Sequence, residues 1–307
     1  MELTLITIEK IVEMFLILFV GVIASRVDII DHQTNKRLSG LLLQVICPAM
    51  LFMSYQIEFR QERFLGLVLT AALGVASMVA AIVVIQFLVP DKGRANAEIE
   101  RLSAIYSNCG FIGIPLINGI LGSEGVFYIT AYITVFNLII WSHGLALMTG
   151  SADIKTVVRQ FIQPATIAIG LGIVCFLARI QVPSIVAEPM KMVGDMNTPL
   201  AMLVAGCNLA ESNLLSALKR PRTYWISFLK LLAEPLLALL ILAFVPVNLM
   251  VKLAVLVASA CPTCAMGTMF ALQYNRDSNY ASELFAITTL LSLFTIPLVV
   301  FLGNVVL

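Results

Sequence analysis

Charge is what this sequence has least of. Asp, Glu, Lys and Arg make up 12% of its 307 residues, while 60% are hydrophobic and the mean hydropathy is +0.98. Soluble domains carry about 25% charged residues, so a water-soluble globule is excluded. The net charge of +1 comes with no long basic run and no interleaving of aromatics with arginines, which removes nucleic acid as a partner. The two histidines form no cluster with cysteines or carboxylates of the kind that holds a metal. A glycine-rich phosphate loop with its lysine is missing, so ATP is not the energy source, and no nucleophile stands near a base. No enzyme activity, metal or cofactor is expected.

A disulfide framework is not expected either. The six cysteines (Cys47, Cys109, Cys175, Cys207, Cys261, Cys264) fall inside or at the edge of apolar runs, where they behave as small hydrophobes. Cys261-Pro262-Thr263-Cys264 has redox-motif spacing, but such thiols work from an exposed helix N-terminus, and these are centred in an apolar run. The N-terminus lacks a basic region and a following small-residue cleavage site, so it reads as a first span rather than a removable signal.

What the chain does have is apolar runs of membrane-crossing length, about 20 residues each. An all-α membrane protein of ten transmembrane helices is expected, at about 5–25, 36–55, 64–88, 98–121, 125–149, 161–180, 190–210, 224–246, 250–273 and 281–305. An outside N-terminus leaves Lys10, Arg60, Arg63, Arg179, Lys191 and Lys252 outside. The other thirteen of the nineteen Lys and Arg residues, including Lys92, Arg94, Lys155 and Arg159, then lie in cytoplasmic loops. The positive-inside bias predicts a multi-pass protein of the cytoplasmic membrane with both termini outside.

Compared with itself at a shift of about 150 residues, the chain places Pro48 near Pro199, and Ser107 and Cys109 on Ser259 and Cys261. Residues 1–150 and 151–307 then hold five spans each. Five is odd, so the second half enters the membrane in the opposite sense and a 5+5 inverted repeat is expected.

Two expected spans are interrupted where a straight helix would continue. The fourth contains Asn108, Gly110, Gly113, Pro115, Asn118 and Gly119; the ninth contains Cys261-Pro262-Thr263-Cys264. Proline removes a helical hydrogen bond, and hydrocarbon leaves freed backbone groups unsatisfied, so such breaks must face protein or a water-filled cavity. Paired breaks in inverted halves point to a transporter site. The free N–H groups and positive dipole end of each resumed half-helix suit an anion. Pro115 and Pro262 are expected in the first turn of the resumed half-helices. Asn108 supplies an amide, and Cys109, Thr263 and Cys264 smaller polar contacts. The competing reading is a pair of kinks that allow close helix packing.

At these residues the sequence resembles the auxin efflux carrier family, which includes plant auxin carriers and bacterial malate- or malonate-type permeases. Asn108-Cys-Gly-Phe-Ile-Gly-Ile-Pro-Leu116 is similar to the family's Asn-x-x-x-x-Gly-Ile-Pro-Leu segment, and Phe270-Ala-Leu-Gln-Tyr-Asn275 to its Phe-Ala-x-x-Tyr stretch. Cys47-Pro48 with the Leu-Phe-Met-Ser just after it resembles the family's second helix, and Leu200-Ala-Met-Leu-Val-Ala-Gly206 its seventh. The resemblance covers essentially the whole chain. It implies broken, crossing helices 4 and 9, as in bile-acid symporters and sodium–proton antiporters, scaffold and transport parts, and elevator-type alternating access. The implied substrate is a small organic anion: malate, malonate or an auxin-like acid. The family's asparagine carries onto Asn108, whereas Ser259, Ala260 and Cys261 offer no matching amide in the second half.

The expected substrate-binding set is therefore Asn108, Cys109, Gly110, Pro115, Cys261, Pro262, Thr263, Cys264, Pro48 and Asn197. The resemblance implies that the second and seventh helices line the site, where Asn197 adds an amide, and a helix–helix hydrogen bond is its other reading. Coupling, by a proton, a sodium ion or neither, has three candidates. Glu234 lies about 15 Å into the eighth span at 1.5 Å per residue; it reads either as a proton carrier or as the i,i+4 partner of Lys230. Asn137 and His143 lie in the fifth span, where a histidine can titrate near neutral pH or simply bond between helices. No lysine or arginine stands out as a deep counter-charge for a dicarboxylate. A homodimer remains open, and a membrane sensor without transport is the rival reading.

Overall fold

Proline and glycine decide where the helices of this chain bend and stop. The computed structural model describes residues 2–91, 95–150 and 162–307; Lys92, Arg94, Lys155 and Arg159 lie outside the described residues. Among the described residues every regular element is helical, apart from one isolated antiparallel bridge between Ser107 and Thr263.

The first helix, α1, spans Glu2–Arg26. A continuous helical run His32–Ser54 comes next, made of α2 (His32–Leu41), a π-turn (Leu42–Ile46) and α3 (Cys47–Ser54). Then come α4 (Gln61–Leu88), α5 (Ala97–Ile105), a π-turn (Cys109–Gly113), α6 (Ile114–Ile139), a third π-turn (Ile140–Gly144) and α7 (Leu145–Thr149). The second half runs α8 (Pro164–Ala178), α9 (Ser184–Asp195), α10 (Asn197–Glu211), α11 (Leu214–Lys219) and α12 (Pro221–Phe228). It continues through a fourth π-turn (Leu229–Ala233) into α13 (Glu234–Ala243), α14 (Leu249–Ala260), α15 (Met266–Gln273) and α16 (Ser278–Val306).

Three of the π-turns share a local cause. Pro48, Pro115 and Pro235 each stand two residues beyond one. A proline inside a helix clashes with the carbonyl four residues back and offers it no N–H. Widening the preceding turn moves that carbonyl aside and lets the helix resume, a π-adjustment tolerated in membranes. Pro48 thus leaves the second helix continuous rather than interrupting it. Pro199, the third residue of α10, lies in a first turn where no helical N–H is required. Gly122 acts differently. Its φ of 65° lies in the left-handed region open to glycine. It divides the 41-residue stretch Cys109–Thr149, which as one rod would be about 60 Å long, twice the hydrocarbon thickness.

Among the described residues five helical stretches are long and apolar enough to cross a membrane: His32–Ser54, Gln61–Leu88, Cys109–Thr149, Pro221–Ala243 and Ser278–Val306. Pro164–Ala178 and Leu249–Ala260 are shorter apolar helices. Large apolar side chains cover the outside; Phe87, Ile185 and Phe244 are 79–83% exposed. A surface of this kind is stable against lipid and not against water. The chain is a multi-pass helical membrane protein.

The helices sort into two packed groups. In one, α1 lies along α10, and α3 packs on α8 and α9; in the other, α4 and α14 pack on α6, and α15 and α14 on α16. The groups meet where α1 and α10 touch α6 and α16. One end of the second group is tied by ions. Arg222 on α12 donates to both carboxylate oxygens of buried Glu100 on α5 at 2.7–2.9 Å, and the Tyr280 hydroxyl on α16 donates to Glu100 at 3.1 Å.

The crossing of two broken helices

The first break occupies Tyr106–Asn108, between α5 and the π-turn at Cys109, about two turns before Pro115. The second occupies Cys261–Cys264, between α14 and α15. Pro262 lies in this extended segment rather than in the first turn of the resumed half-helix; its fixed φ and missing N–H suit an extended strand that has no ladder partner on that side. The two breaks cross antiparallel. Asn108 N–H donates to the Pro262 carbonyl at 2.7 Å, and Cys264 N–H to the Tyr106 carbonyl at 2.9 Å. These bonds satisfy backbone groups that the breaks release in a buried place, where an unpaired group costs about 1–3 kcal/mol.

Side chains complete the junction. Buried Thr263 donates its hydroxyl to the Ser103 carbonyl at 2.7 Å and its N–H to Thr288 Oγ1 at 3.2 Å. Cys261 donates its thiol to the Val257 carbonyl. A side chain at Gly113 would sit 3.2 Å from Cys261 Sγ, so the π-turn packs directly on the second break. At Gly110 the space is open, with nothing within 4 Å of where a Cβ would stand. Asn108 is 4% exposed, and among the described residues its side-chain amide makes no hydrogen bond. The N-terminal ends of the half-helices beginning at Cys109 and Met266 both lie at the crossing.

A charged pair sits at the same place. Lys230 is 0% exposed and donates to Glu234 Oε2 at 2.9 Å, to Ser107 Oγ at 2.6 Å and to the Ser259 carbonyl at 3.1 Å. Ser107 also donates to the Ser259 carbonyl at 3.1 Å. The i,i+4 partnership of Glu234 with Lys230 is therefore present. What sequence reasoning missed is that the pair reaches the crossing instead of a neighbouring helix face. The fourth π-turn, which contains Lys230, was the available signal, since Pro235 stands after it as Pro115 stands after the second.

The structure thus brings Asn108, Cys109, Gly110, Cys261, Pro262, Thr263 and Cys264 together, with Pro115 beyond the π-turn on the same resumed helix. It also places α10, which begins at Asn197, against the π-turn Cys109–Gly113. Asn197 is buried and its side-chain nitrogen has no hydrogen-bond partner among the described residues. His143 connects at one remove: its Nδ1 pairs with the Tyr106 hydroxyl at 2.8 Å, and the Tyr106 carbonyl belongs to the crossing. Half-buried Asn137 has no side-chain hydrogen bond to the crossing among the described residues, and Pro48 lies on α3, which packs toward α8 and α9.

An uncharacterized transporter of Methanothermobacter thermautotrophicus is 26% identical over 298 residues, covering 94% of this chain and 96% of its own. Residues 6–300 match the membrane transport protein family, the family of the auxin efflux carriers, and with nearly the whole chain covered the protein belongs to that family.

Proposed function

We propose that the protein is a secondary transporter that carries a small organic anion, a carboxylate such as malate, malonate or an auxin-like acid, through the crossing by elevator-type alternating access. One observation carries the reading: two helix breaks meet in antiparallel contact with two half-helix N-termini and an unpartnered Asn108 amide beside open space at Gly110. Free N–H groups and the positive ends of helix dipoles stabilise a carboxylate, and an amide can donate one more hydrogen bond to it. The buried, unpartnered nitrogen of Asn197, on a helix of the other group, is a second donor of the same kind. Cys109, Gly110, Thr263 and Cys264 line the junction around these donors.

The two packed groups suit an elevator. The group of α1–α3 and α8–α10 is the proposed scaffold, and the group carrying the crossing is the moving part. In this reading ten spans form a 5+5 inverted repeat divided between residues 1–150 and 151–307, in the cytoplasmic membrane with both termini outside. Among the coupling candidates, His143 reaches the crossing through Tyr106, and Glu234 is held by Lys230. The sensor alternative has no evident need of two crossing half-sites. The deciding experiment reconstitutes the purified protein in liposomes and measures flux of labelled malate, malonate and indole acetate. Uptake or release above empty liposomes supports the reading, and no flux of any organic anion refutes it.

A further inference from the structure

Lys230 places its ammonium in the buried crossing, and anion binding does not account for it. Its ammonium has three N–H donors, and three acceptors take them: Ser107 Oγ, Glu234 Oε2 and the Ser259 carbonyl. No donor is left over for a solute, so Lys230 is not a substrate ligand in this conformation. Its surroundings are informative. Ser259 is the penultimate residue of α14 and Ser107 stands just past the end of α5, so the ammonium sits where two broken helices end, not where they resume. Helix C-terminal ends carry partial negative charge, and in broken-helix transporters such ends and unwound carbonyls coordinate the coupling cation. A hydroxyl, a carbonyl and a carboxylate are also the oxygen donors that a hard metal cation selects.

We infer that Lys230 is a tethered cation: its ammonium fills, from within the chain, the seat that a dissolved alkali cation would take at the ends of α5 and α14, so that movement of the anion requires no sodium. The inference rests on the crossing being the transport site. It divides the junction by sign. The negative helix ends and the Glu234 carboxylate face Lys230, and the positive ends at Cys109 and Met266 remain for the solute. It also gives the fourth π-turn a task, which is to hold Lys230 within reach of both breaks.

The test uses the purified full-length protein, with sodium chloride exchanged for choline chloride at constant ionic strength. Wild-type melting temperature should not respond to the exchange. Lys230→Ala should melt earlier than wild type in choline and recover in sodium chloride or methylammonium chloride, whose cations can enter the vacated seat. A sodium-dependent rise in wild-type melting overturns the inference. So does a folded Lys230→Ala protein that melts like wild type or ignores both cations. Should Lys230→Ala fail to fold, the charge-neutral double variant Lys230→Met, Glu234→Gln and the wild-type exchange decide the matter, both being expected to be indifferent to sodium. In liposomes, wild-type malate uptake should differ by less than about twofold with and without sodium, whereas a sodium requirement beyond about tenfold overturns the tethered cation and leaves the transporter intact. Absence of all anion flux, with the cation response of Lys230→Ala preserved, would instead refute the transport reading alone.

Discussion

Two places in this molecule bring backbone against backbone, by opposite means. Along the seam between α1 and α10 the approach is steric. A Cβ added at Gly21 would lie 2.3 Å from the Leu203 carbonyl oxygen, and one at Gly206 2.0 Å from that of Leu18. At the crossing the approach is polar, through Asn108 to Pro262 and Cys264 to Tyr106, with hydroxyls and a lysine filling in. The seam is a shape lock of small residues of the sort that drives helix association in lipid. The crossing is a hydrogen-bonded knot that, among the described residues, leaves the Asn108 amide unpaired and the space at Gly110 unfilled. Rigidity and open space are therefore segregated, the first in the proposed scaffold and the second in the proposed moving part.

Substitutions can break or sharpen that contrast. The largest effect is expected at the seam: Gly206→Ala forces a methyl group into a backbone carbonyl. Overpacking alone costs about 1–3 kcal/mol, and no flexible side chain is there to yield, so the recovery of monodisperse protein in size-exclusion chromatography should collapse together with transport. Asn108→Ala should do the reverse. It removes a hydrogen bond to a charged solute, worth about 1.5–3 kcal/mol, or roughly ten- to a hundredfold in affinity. Uptake into liposomes should be lost while melting temperature and insertion are unchanged, and full activity would remove the proposed site.

Thr263→Val tests the knot itself. It keeps the shape but silences the bond to the Ser103 carbonyl, at a cost of about 1–3 kcal/mol for the buried acceptor left behind. Melting should fall measurably, with less effect on uptake than Asn108→Ala; a larger effect on uptake would move the site toward the second break. Smallest of all is Asp31→Ala, at the exposed start of α2. The Asp31 carboxylate accepts from the Thr34 side chain and N–H, which holds its pKa below the ordinary carboxylate range. A depressed carboxylate contributes stability above its unfolded pKa and loses it as pH falls through the folded one. Wild type should therefore lose a small increment of melting temperature on strong acidification that Asp31→Ala never had, with uptake at neutral pH the same in both.

Much of this was legible in the residues. Glycine, proline and asparagine inside apolar runs located both breaks, because these residues cannot continue a helix in hydrocarbon without help. The helical character of the chain came from hydropathy. Harder to see was where helices end within a broken span: Pro115 stands out in the sequence, but the π-turn before it absorbs the strain and the actual break falls at Tyr106–Asn108. The seventh span likewise divides at Met196 into α9 and α10. Lys230 was legible as a partner of Glu234 and illegible as part of the crossing. A π-turn inserts one residue, rotating the rest of the helix by about 100°, so periodicity could not say which neighbour the pair would face.

The sequence by itself determined the solvent of this protein, the order of its helices and the points where they weaken, since each depends on local residue types and the cost of bare backbone in lipid. Tertiary structure alone decided that residues more than 150 apart would meet at Ser107 and Thr263, that the Lys230 ammonium would be sealed against Ser107 and Ser259, and that among the described residues the Asn108 amide would have no hydrogen-bond partner. These depend on which helices pack together, a property of shapes and long-range contacts that no single stretch of chain encodes.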